Sequence, residues 1–323
     1  KFLQKNGKIM MGWDEIFQPD LPKEVVIHSW RGQKALADAA KQGFTGVLSN
    51  GYYIDLMFPA SQHYVVDPVP ADTTLSAEEQ KRILGGEATM WSEWVSPETI
   101  DSRIWPRTAA IAERLWSPRE VNDVEDMYRR LATVDLHHEE LGLMHRKNQA
   151  MLLRRLSNNK DISPLQTLVS VIEPVKEYRR YQARPQTMLS PLTGLIDAAQ
   201  SDAEGSRKFG KAVEEILGDL NVPKNLELIR QMCTEWRDAG RELQTQMESS
   251  PALFEAKQLS SDLQTLGEIG LETISFLETK SGAAIEKREA TIKKLDEIAK
   301  PKAGLEFRVV AHLKKLVNRN STK

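Results

Sequence analysis

Cysteine is almost missing from this chain. A single thiol, Cys233, stands among 323 residues, so no internal disulfide framework braces the fold. An excess of positive charge is missing as well. The 44 lysines and arginines are set against 46 aspartates and glutamates, and the net charge of −2 leaves no basic footprint for nucleic acid. No apolar run approaches the roughly 18 residues of a bilayer-spanning helix, so no membrane partner is expected. What is present is ordinary for a globular protein: 40% hydrophobic and 28% charged residues, with a length that favours two domains. The segment from Lys1 to Lys8 reads as the last turn of a helix closing on Gly7, so a longer protein with a preceding segment is expected.

Two patterns of hydrophobicity divide the sequence. Up to about residue 118, short apolar runs alternate with helical stretches. Strands are predicted at Ile9–Trp13, Val25–Trp30, Thr45–Ser49 and Ile83–Ala88, with helices over Gln33–Gln42 and Trp105–Trp116. Strands alternating with helices imply a parallel sheet with crossover helices, an α/β fold. From about Val121 onward the apolar positions recur at helical spacing, as at Met127, Leu131 and Val134. Long helices are predicted over Val124–Met151, Pro164–Gln182, Leu192–Gly218, Pro223–Met247, Pro251–Leu277, Gly282–Lys300 and Leu305–Val317, with few strand signals. The expected division is 1–157 for the α/β segment and 158–323 for an all-α helical bundle.

The chemistry-bearing residues gather just after the predicted strands, where α/β barrels place their active sites. Trp13 precedes Asp14 and Glu15, and Trp30 follows His28. Tyr53 and Asp55 follow the third run, and Trp91 and Glu93 follow the glycines of the fourth. Tryptophan faces offer flat apolar walls, and carboxylates accept hydrogen bonds from hydroxyls. Such a set suits a sugar with apolar C–H faces and polar edges.

Gly12-Trp13-Asp14-Glu15, Trp30-Arg31-Gly32, Tyr53-Ile54-Asp55 and Gly85-Gly86-Glu87-Ala88 with Trp91-Ser92-Glu93 occur in this order. Asp101 to Arg107 and Ala112 to Ser117 follow them. The series resembles the C-terminal part of the catalytic barrel of glycoside hydrolase family 20, the β-N-acetylhexosaminidases. The resemblance implies about strands six to eight of a TIM-type (β/α)8 barrel, an open-edged three-strand piece, followed by a helical C-terminal extension. It implies that Trp13 and Trp30 line the pocket for the N-acetyl methyl, that Trp91 stacks on the terminal sugar, and that Asp55 and Glu93 bind near its hydroxyls. Tyr53 would align the acetamido oxygen, which in this family acts as the internal nucleophile. No cofactor or metal is implied. N-acetylhexosamine glycans are the implied partners, beside self-association or a missing N-terminal half. Periplasmic or secreted placement is favoured. The family's general acid, a glutamate directly after an aspartate on the fourth barrel strand, has no counterpart here. Asp14-Glu15 belongs to a later motif and is not assigned to that role. The implied chain is a fragment with the pocket and without the acid, expected to be inactive or nearly so; a non-catalytic sugar-binding or interaction module is the alternative.

Simpler readings cover the remaining candidates. Trp105 and Trp116 are expected to pack within a helix, and Glu113-Arg114 to form a helix-to-barrel ion pair. His137 and His138 point to different helix faces, so with His145 they read as surface residues rather than metal ligands. Cys233 reads as a buried helical thiol, His28 as a core histidine, and Glu87 as a support for Trp91 or Glu93.

Overall fold

The computed structural model describes residues 2–183, 186–219, 223–279 and 288–319. It parts into two compact units: residues 1–93 with 103–143, and residues 94–102 with 144–323.

The first unit is built on a four-stranded parallel sheet in sequential order, β1 (Met11–Trp13), β2 (Val26–Ser29), β3 (Thr45–Leu48) and β4 (Ile83–Gly86). All four predicted runs therefore form strands, one more than the three-strand piece expected. β2 is buried along its whole length, so its apolar Val26 and Ile27 do not alternate with exposed polar residues. The helix Gln33–Lys41 returns the chain from β2 to β3 and packs Leu36 against the sheet. The fit is close: a Cβ on Gly46 would lie 2.3 Å from Leu36 Cδ1 and 3.2 Å from the Ile27 carbonyl oxygen. Parallel strands put all their carboxyl ends on one edge, and every candidate site residue of this unit lies at or just beyond that edge.

Several side chains differ from expectation. The helix predicted over Trp105–Trp116 is two helices, Ile100–Ile104 and Arg107–Trp116, because Pro106 interrupts it. Trp105 does pack, against His138 at 4.6 Å between ring centroids, but Trp116 is 93% exposed. Glu113 pairs with Arg130, and its carboxylate also accepts the Tyr64 hydroxyl at 2.7 Å. Arg114 instead donates to the carbonyls of Ser117, Pro118 and Val121, bracing the turn after its helix.

The second unit is mainly helical around one apolar core. The helices Pro223–Gln246 and Lys257–Thr279 pack along each other. A Cβ on Gly267 would lie 2.4 Å from the Cys233 carbonyl oxygen, so the two backbones nearly touch. Cys233 is buried in this seam, and burial pushes its thiol up to about 12. His145–Leu156, expected with the first segment, gives Leu152, Leu153 and Leu156 to this core. Two expected helices contain strands instead: Ile172–Pro174 pairs antiparallel with Leu305–Phe307, and helix resumes only at Val310–Arg319. Ile172 and Leu305 are short buried apolar stretches, which periodicity alone cannot separate from helix. The helix predicted over Gly282–Lys300 is seen as Arg288–Ile298; residues 282–287 lie outside the described residues. No helix among the described residues is long and apolar enough to cross a membrane.

Candidate functional site

Hydrogen bonds between loops set the site. Beyond the ends of β3 and β4 the two chains keep pairing: Thr89 N–H donates to the Tyr52 carbonyl at 3.0 Å, and Ile54 N–H to the Thr89 carbonyl at 3.0 Å. This extra ladder draws Asp55 beside Trp91 and Glu93. Asp55 is buried, and its Oδ2 accepts the Trp91 N–H at 3.1 Å. The Trp91 ring lies 5.6 Å from that of Trp13, at the end of β1, and is 56% exposed. Trp13, Asp55, Trp91 and Glu93 are thus neighbours drawn from three strand ends.

Glu93 sits between two non-glycine residues in the left-handed region, Ser92 at φ 65° and Trp94 at φ 58°. Such backbone is costly and persists where surrounding structure enforces it. Burial raises the Glu93 carboxyl above the usual glutamate range, and hydrogen bonding with Asp55 and the charge of Asp55 raise it further. Two ionised carboxylates have only acceptors to offer each other. They share a hydrogen bond only when one of the two carries a proton. Asp55 Oδ1 and Thr89 Oγ1 are buried without a hydrogen-bond partner among the described residues.

Asp14 organises the other side. Its Oδ2 accepts the backbone N–H groups of Trp30 and Arg31 at 2.9 and 2.8 Å, with the Ser29 hydroxyl at 3.3 Å, tying the end of β1 to the end of β2. Glu15 accepts the Trp30 indole N–H at 3.1 Å and pairs with Arg31 at 3.1 Å. The Glu15 carboxyl is held below the usual range by a backbone hydrogen bond first and the Trp30 indole next. The Trp30 ring is 42% exposed and is held by these groups rather than by Trp13 or Trp91. Tyr53 is half-buried, with Ser49 Oγ 3.5 Å from its hydroxyl.

Sequence reasoning passed over two parts of this arrangement. His28 is buried and stacks on Trp13, ring centroids 4.0 Å apart at 25°. Burial lowers its pKa, against the opposing charges of Glu87 and Asp14, so a neutral imidazole backs the Trp13 face. Its position two residues before Trp30 was the available signal; the register that pairs it with Trp13 was not. Asp14 was the other, since only its place after Trp13 marked it as a latch. Glu87 is exposed and acts on His28 through its charge. His63 is buried with Nδ1 2.7 Å from the Gly51 carbonyl oxygen, fastening the loop after Asp55. His138 and His145 are buried, and among the described residues no three potential ligands gather as a metal site.

Residues 1–119 match the model of the glycosyl hydrolase family 20 catalytic domain. The β-hexosaminidase subunit beta of Mus musculus is 34% identical over 139 residues, 40% of this chain and 25% of that protein. The β-hexosaminidase of Porphyromonas gingivalis is 31% identical over 159 residues, 42% of this chain and 20% of that protein. The crystal structure of a Flavobacterium johnsoniae chitobiase superposes with a TM-score of 0.89 at 40% identity, over 97% of this chain and 48% of that one. The chain therefore spans less than half the length of these relatives. Residues 1–119, with the four strand ends that carry the site, belong to the catalytic domain of glycosyl hydrolase family 20.

Proposed function

We propose that the first unit holds the acetamido-sugar pocket of a β-N-acetylhexosaminidase, formed by the C-terminal portion of a (β/α)8 barrel. The observation that carries this reading is the convergence of Trp13, Trp91, Asp55 and Glu93 at one sheet edge. The ligand is a terminal N-acetylglucosamine or N-acetylgalactosamine. Its apolar face lies on Trp91, its hydroxyls reach Asp55 and Glu93, and its methyl enters the Trp13 and Trp30 side. Tyr53 aligns the acetamido oxygen for attack on the anomeric carbon, with retention of configuration. That role is one of positioning, and well-oriented intramolecular attack is strongly favoured over a bimolecular one.

We take the family's Asp-Glu acid to have no counterpart in these 323 residues. Asp14 and Glu15 are both engaged in holding the β2 loop. A general acid contributes typically 10²–10⁴-fold to rate, so the chain alone binds sugar and turns it over slowly if at all. Further strands, from a second copy or another segment, are proposed to cover the exposed Ile9 and Met11 beside β1.

Titration with N-acetylglucosamine beside a chromogenic N-acetylglucosaminide assay tests the reading. Binding that Trp91→Ala weakens about tenfold, with little hydrolysis, is expected. Absence of binding overturns the pocket. Turnover at the rate of a complete relative overturns the inactivity. The absence of the acid pair also favours a second reading, a sugar-binding module with no catalytic duty. A partner chain that restores hydrolysis excludes it.

A further inference from the structure

Trp94, next after Glu93 in the chain, belongs to the second unit and is the centre of an aromatic cluster. The buried Arg180 guanidinium lies over its ring at 4.5 Å and is fixed by Asp197 at 2.7 Å. Tyr181 packs on Trp94 at 4.5 Å between centroids, and Tyr178 stands 6.5 Å from Tyr181. Both tyrosines are more than half exposed, at 55% for Tyr178 and 54% for Tyr181. Two left-handed residues shape the surface, Trp94 itself and Glu177, which directly precedes Tyr178.

This is an unusual use of aromatics for a unit whose other tryptophan, Trp236, is fully buried. A buried cation behind Trp94 stiffens the ring, while both tyrosines remain more than half exposed. Arg179 and Glu306, paired at 3.6 Å, lie on neighbouring elements and supply polar groups. Flat, braced aromatic faces with hydrogen-bonding groups fit a neutral ring that has an apolar face and a polar edge. A flexible aliphatic peptide would gain little from such faces.

We propose that Trp94, Tyr178 and Tyr181 form a second carbohydrate site in the helical unit, a platform on which one pyranose ring of an oligosaccharide stacks. That the oligosaccharide is built of N-acetylhexosamine rests on the function proposed above; the platform does not.

The test is titration of the whole chain with a β-linked N-acetylglucosamine tetramer, following the indole N–H signals of Trp91 and Trp94 by NMR. Both signals are expected to move. Tyr181→Ala should weaken the Trp94 response roughly five- to tenfold and leave the Trp91 response unchanged. Tyr181→Phe, which keeps the ring, should restore it. Both substitutions are at an exposed position, and circular dichroism checks the fold. A Trp94 signal that stays still while Trp91 moves overturns the platform and leaves the first pocket standing. A Trp94 response indifferent to Tyr181→Ala also overturns it. Movement of Trp94 without Trp91 upholds the platform and overturns the first pocket.

Discussion

The two units spend their aromatic residues differently. In the second, Trp236 is buried against Phe209, and one continuous core runs through the helices. In the first, the core is broken into three small clusters, and Trp91, Trp116, Ile9 and Leu84 face outward. A helical unit can satisfy its own backbone and close its own core. A parallel sheet with two open edges cannot, and in the function proposed above its strand ends carry the groups that meet the ligand.

That contrast can be broken at its strongest point. Trp236→Ala should cost about 3–5 kcal/mol, the range for emptying a buried aromatic site, and should melt the helical unit early in urea. A loss below about 1 kcal/mol would mean the second core is no tighter than the first. Asp14→Ala comes next. It leaves the Trp30 and Arg31 amides without their shared acceptor, at about 1–3 kcal/mol, and weakens N-acetylglucosamine binding as the β1 and β2 ends part. Unchanged affinity would show that this latch does not shape the pocket.

Glu93→Gln sharpens the comparison through pH. A raised carboxyl binds more protons in the folded chain than in the unfolded one, so stability falls as pH rises from the ordinary glutamate value through the raised one. The amide removes that penalty. The variant should be more stable than the parent at neutral pH, by no more than about 1 kcal/mol for so solvated a group. The advantage should vanish in acid below the ordinary glutamate value. An advantage that persisted in acid would separate it from ionisation. The smallest effect is expected for Trp116→Ala, within about 0.5 kcal/mol, because its ring touches little. Set beside Trp236→Ala, it makes one substitution cheap in one unit and ruinous in the other.

The parallel sheet was legible because each strand combined a short apolar run with a break after it. The run of Val26, Ile27 and His28, ended by Gly32, is an example. The candidate residues were legible because they follow those breaks. What stayed hidden depended on long-range contact. The strand at Leu305–Phe307 finds its partner more than a hundred residues earlier, and no local pattern announces that. The Trp105–Trp116 spacing suggested two buried rings, but only the first meets a neighbour, His138. The His28 stack on Trp13 required knowledge of which strands pair and in what register.

The paired left-handed residues around Glu93 carry one more implication. The main chain steers this carboxylate, so its bearing does not hang on a rotamer alone. Lengthening or shortening the turn by one residue would swing it off target even with every neighbouring side chain preserved. Variation in this stretch should therefore swap side chains and keep its length.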